Sequence, residues 1–200
     1  PEGDSRTPYQ RGRFGKGLKS VNRWYAAPYV TTLVCDWEMP EGSENTHSIW
    51  VRGWCLFERA LSSIAKDGWC YLRLSRLPEG AAGMRWWGND GDGIAGTCSA
   101  GAERPAPEAP DAFEQAMLAR MQGGELRFTN GKDATGVCIP QYEQGFLRQL
   151  GTAKKLIYSQ LNWGPAEAEQ LAAAFAYAAQ RGGGAAGGVA VEQLDLYDNQ

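Results

Sequence analysis

The stretch that most constrains the fold is Trp50–Leu74, which holds three of the chain's eight tryptophans and two of its five cysteines. Trp54, Phe57, Leu61, Ile64 and Ala65 recur at intervals of three and four, one face of an amphipathic helix over residues 54–66. Asp67-Gly68 stops that helix, and Trp69-Cys70-Tyr71-Leu72-Arg73-Leu74 then reads as a short strand of aromatic and bulky residues. Glu58 lies four residues after Trp54 and three before Leu61, so it projects at the edge of the apolar face. A carboxylate there either snorkels out of the core or lines a cleft. Arg52 and Arg59 flank it as candidate ion-pair partners.

Two hundred residues, 43% of them apolar, are enough for one large domain or two small ones with a sizeable core. The formal net charge is −3, and no basic block survives beyond the first twenty residues. Nucleic acid therefore finds no electrostatic footprint over most of the chain. No apolar run approaches the ~20 residues of a membrane span. The five cysteines, Cys35, Cys55, Cys70, Cys98 and Cys138, are widely spaced without a C-x-x-C pair, and His47 is the single histidine. A closed zinc site needs several such ligands at close spacing, so no metal or cofactor is expected. The odd count favours free buried thiols in a reducing compartment, the cytoplasm or an organelle interior after loss of a targeting peptide. A Cys55–Cys70 bond stays open if helix and strand pack together. A chain that starts Pro1-Glu2-Gly3, without methionine, reads as a processed product or a piece of something longer.

Along the chain, residues 1–20 read as a basic extended arm with Arg6, Arg11, Arg13, Lys16 and Lys19. Residues 21–99 form an α/β module, in which Tyr29–Cys35 is the best strand. Asp36–Ser48 is a loop whose Asp36, Glu38, Glu41 and Glu44 are either solvated or line a rim. Asn89–Gly93 imitates a calcium loop, but carboxylates are missing at its first and last positions, Gly88 and Ser99, so it reads as a turn. Residues 100–110 (AGAERPAPEAP) are a stiff linker. In the helical region 111–163, a capping box runs from Asp111 to Glu114 and a stripe from Phe113 through Met117 to Met121. Tyr142, Phe146, Leu150 and Ala153 mark a second helix, which Gly145 and Gly151 divide, and Leu156, Ile157 and Leu161 follow on. Residues 164–200 hold an alanine-rich helix opened by Pro165, a glycine break, and Val191–Asn199.

Two resemblances rest on these residues. Val191, Leu194, Leu196 and Asn199 fit the leucine-rich repeat pattern, apolar-x-x-L-x-L-x-x-N, and the helix before them is similar to that of the ribonuclease-inhibitor type. The resemblance implies that Leu194 and Leu196 face a solenoid core and that Asn199 turns the chain by bonding backbone groups. A single repeat cannot bury its own face, and about three are needed. Trp54-Cys55-Leu56-Phe57-Glu58, with Leu61, resembles the W-C-x-x-E-L segment of TIR domains, and the Arg-Gly-Trp before it is similar to the heterokaryon-incompatibility domain. The TIR resemblance implies a flavodoxin-like sheet. In the NAD-cleaving members the glutamate acts on the ribose side of the nicotinamide bond, a role that would fall on Glu58. No opening strand for such a sheet precedes residue 50.

The fold class expected is α/β. An incomplete or degenerate three-layer-like N-terminal module is followed by a helical region that leads into a leucine-rich-repeat-like helix–strand unit. The function expected is a tryptophan-rich, non-catalytic interaction or scaffold module, an accessory subunit of a larger assembly whose partners are other proteins. The alternative is a TIR-like NAD glycohydrolase that uses Glu58, with NAD as substrate.

Overall fold

The computed structural model describes residues 5–86, 93–99, 104–181 and 188–199. Helices α1 (Pro8–Leu18) and α2 (Val21–Ala26) precede strand β1 (Thr32–Val34), helix α3 (Gly53–Ser63), strand β2 (Tyr71–Arg73) and the short helix α4 (Ile94–Cys98). Helices α5 (Pro110–Gln122) and α6 (Ile139–Thr152), strand β3 (Lys155–Ile157), helix α7 (Pro165–Arg181) and strand β4 (Gln193–Asp195) complete the order. The chain is thus a mixture of helix and strand, with two small parallel sheets, β1–β2 and β3–β4.

α3 is central, as its periodicity predicts. Phe57, Leu61 and Ile64 are fully buried, and α3 packs against both α2 and α6, which also touch each other. α6 presents Tyr142, Phe146 and Leu150 to the same core, and its stripe is one continuous helix through Gly145 and Gly151. Gly145 is needed there, since a Cβ at this position would lie 2.7 Å from Leu61 Cδ2. Phe113 and Met117 of α5 close the core from below, with Phe113 stacked on Tyr142 at 3.9 Å between ring centroids. One hydrophobic cluster runs from Ala26 to Ala178.

Several expectations are corrected. The first residues are not an extended arm: Thr7 caps α1, its side chain and that of Gln10 exchanging bonds with each other's backbone. That reciprocal cap and Pro8 at the first turn offset the cost of Gly12, Gly15 and Gly17. The helix is nonetheless exposed throughout. At α5 the capping box is absent, because the helix begins one residue earlier, at Pro110. Asp111 therefore sits inside the first turn and bonds the Ala112 amide. The proline-rich stretch is built into the core over residues 104–110, where Arg104, Ala106 and Ala109 are buried. Lys155–Ile157 is a strand and not a helical continuation. The calcium-like loop falls on residues outside those described, apart from Gly93.

Two buried cations tie segments distant in sequence together. Arg104 is 2% exposed and lies over the Tyr158 ring. It donates through Nε and Nη2 to the Ser63 carbonyl and through Nη1 to that of Ile157. The end of α3 is thereby tied to β3, and Tyr158 adds a hydroxyl bond to the Ile64 carbonyl. The Ser63 and Ile64 carbonyls lie at the C-terminal end of α3, where a cation is favoured.

Lys66 is also buried, and its ammonium bonds the Ala27 and Val30 carbonyls of the α2–β1 turn, each at 2.5 Å. Burial lowers its pKa to about 8 from the ordinary 10.5. Between those values the unfolded chain binds the extra proton, so the Lys66 contribution to stability rises with pH across that window. Below it the full cost of burying the charge is present. Urea midpoints of the wild type and Lys66→Met, compared from about pH 8 to 10.5, should show the wild type gaining on the variant as pH rises. Parallel profiles would contradict this.

Candidate functional site

Glu58 projects from the middle of α3 toward α2, half-buried, and shares a side-chain hydrogen bond with Tyr25. Burial pushes its carboxyl above the usual range, and the Tyr25 bond offsets this only in part. The expected arginine pairing is not made. Arg52 donates instead to the carbonyls of His47 and Asn45. Arg59 lies on the Trp50 ring at 3.9 Å and donates to the Tyr71 hydroxyl. The Cys55 thiol near Glu58 is also pushed up by burial and by the carboxylate, and Cys138 rises to about 12. Burial thus disfavours the charged form of each of these groups. Oxocarbenium stabilisation needs an ionised carboxylate, and the surroundings of Glu58 work against one.

A cleft of about 480 Å³ opens beside the start of α3, lined by His47, Arg52, Trp54, Cys55, Arg127 and Phe128 among others. The Arg127 guanidinium bonds Nε2 of His47, and the His47 Nδ1 faces the Asn45 carbonyl oxygen of the side chain at 3.2 Å. Since guanidinium can only donate, Nε2 is the acceptor and Nδ1 carries the proton. His47 is thus a fixed structural link between loops. Among the acidic loop residues, Asp36 is not solvated but bonds Arg73 and Ser75 across to β2. Burial would raise its carboxyl, yet the Ser75 and Arg73 donors hold it below the usual range. The five cysteines are free, Cys55 and Cys70 included. Among the described residues no group of three metal-ligating side chains converges, and no helix is long and apolar enough to cross a membrane.

The most distinctive surface is at the other end. β3, α7 and β4 make a strand–helix–strand unit with parallel strands, in which Leu156 pairs with Leu194. Asn199 uses its whole amide. Its Oδ1 accepts from the Leu161 and Trp163 amides, and its Nδ2 donates to the Tyr158 and Leu196 carbonyls. One side of α7 buries Leu171, Ala174 and Ala178. The other side and β4 leave an apolar groove of about 440 Å³, lined by Ala168, Ala172, Phe175, Leu194 and Leu196 among others. Leu194 and Leu196 are 40% and 43% exposed. The repeat resemblance has both facing a core, and no described residue of this chain covers them to that degree. The Arg104 and Lys66 anchors carried no flag in the sequence, because charged side chains belong on the surface by default.

No protein-family model, curated protein or solved structure matches this chain.

Proposed function

We infer that the chain is a non-catalytic protein-interaction or scaffold module, an accessory subunit of a larger protein assembly. The observation that carries this reading is the apolar groove along α7 and β4. β4 pairs in parallel with β3, 38 positions upstream, and is the last strand of that two-stranded sheet among the described residues. The occupant best matched to such a surface is a further strand-and-helix unit of the same kind. It would pair with the free edge of β4 and cover Leu194 and Leu196 with its own apolar residues. The leucine-rich-repeat resemblance of Val191–Asn199 supports the same occupant, and such units are stabilised chiefly by their neighbours. Recovered from its source under native conditions, the wild type should run as a stoichiometric complex. A Leu194→Glu/Leu196→Glu chain should fold and run alone. A lone wild-type monomer would count against the reading.

The competing reading is NAD cleavage through Glu58, for which the TIR-like segment Trp54–Leu61 is the support. Incubated with NAD, the wild type and Glu58→Gln should be equally inactive. A hydrolysis rate that Glu58→Gln abolishes would replace the scaffold reading with the enzymatic one.

A further inference from the structure

A second, more enclosed cavity of about 230 Å³ lies between α3 and α5, away from the α7–β4 groove. Its body is apolar, made by Leu56, Ala106, Phe113 and Met117, and three charged side chains, Arg59, Glu108 and Arg120, line the same space. Arg120 is engaged by the Trp50 carbonyl and Glu125, and Arg59 and Glu108 form no ion pair with each other. Arg59 is held back by its stack on Trp50 and its Nε bond to the Tyr71 hydroxyl, which leaves both terminal nitrogens without a bond among the described residues. Glu108 is anchored by its backbone, whose carbonyl accepts from the Tyr142 hydroxyl, and its carboxyl takes no hydrogen bond from any described residue. Burial pushes that carboxyl up, and Arg120 at the rim only partly counters it.

A carboxylate and a guanidinium that face one partly buried space without neutralising each other are costly unless something pairs with both. We propose that the α3–α5 cavity binds a small zwitterion with an apolar side chain, the chemical class of a free aliphatic or aromatic amino acid. The ligand ammonium donates to Glu108, the ligand carboxylate accepts from the free Arg59 nitrogens, and the side chain fills the space between Leu56, Phe113 and Met117. The cavity is smaller than the ~300–1,000 Å³ typical of drug-sized ligands, which limits the occupant to a single small metabolite. Charge at both poles and an apolar middle distinguish this class from fatty acids, sugars and phosphates.

Calorimetric titration of the full chain with L-leucine and L-phenylalanine tests the proposal. Saturable binding is expected, weakened about tenfold or more when the ammonium is acetylated or the carboxylate amidated, the loss expected for a charge-assisted bond. Glu108→Gln should reproduce the effect of acetylation, and should weaken the acetylated ligand no further. Ala116→Trp, at an exposed position on the cavity wall, should block binding of both amino acids while leaving the melting temperature near that of the wild type. Absence of saturable binding by either amino acid, or equal binding of the free and blocked forms, would overturn the proposal. The α7–β4 reading would be untouched by either result.

Discussion

Arg104→Ala is expected to cost about 3–5 kcal/mol of folding stability, a large share of the ~5–15 kcal/mol that holds a domain of this size. The arginine donates twice to the Ser63 carbonyl and once to that of Ile157, while its stem fills the space beside Tyr158. Alanine removes all three bonds and leaves buried carbonyls unpaired, each costing about 1–3 kcal/mol, with a cavity in addition. Arg104→Lys is expected to recover only part of the loss, because one ammonium cannot span the two carbonyls in the fork geometry of guanidinium. Urea unfolding gives the comparison. A loss under about 1 kcal/mol would mean that α3 and β3 are not coupled through this residue.

Gly53→Ala is expected to destabilise by about 1–3 kcal/mol, although glycine to alanine within a helix ordinarily gains up to ~1 kcal/mol. The reversal follows from geometry. A Cβ at Gly53 would fall 2.0 Å from the Phe128 ring, and the Gly53 amide already bonds the Arg127 carbonyl, so neither segment can move away freely. Gly15→Ala in α1 is the control, since nothing lies within 4 Å of its added carbon. It should stabilise or leave the midpoint unchanged. A Gly53 variant as stable as the Gly15 variant would contradict the close approach of α3 to the Arg127–Phe128 segment.

What could be read in advance followed from strong local patterns. α3 and α6 carry apolar residues at helical spacing, and their faces are buried as that spacing predicts. The backbone bonds of Asn199 were legible from a short motif, whereas Leu194 and Leu196, expected to face a core, are exposed. β3 was not, because Leu156, Ile157 and Leu161 continue the spacing of the preceding helix. Only the partner strand 38 positions downstream makes Lys155–Ile157 extended. α1 was missed through its glycines and charges, although the Thr7–Gln10 pair that caps it was visible in the sequence. The Glu58 environment depends on Tyr25, a residue brought to it by the packing of α2 on α3 and not by local spacing. Nearby arginines in sequence proved poor guides, since Trp50, Tyr71 and backbone carbonyls competed for them.

The central claim is that the α7–β4 face is built to receive another strand-and-helix unit. Its most direct test is to duplicate residues 162–199 behind Asn199, continuing the register in which Leu161 and Asn199 are 38 positions apart, and to compare urea unfolding with the original chain. A higher midpoint and a steeper transition are predicted, as a neighbour buries the exposed side chains of Leu194 and Leu196. Leu194→Glu/Leu196→Glu in the first copy should remove the gain. An extended chain that unfolds at the original midpoint, with the added unit melting separately, would contradict the claim.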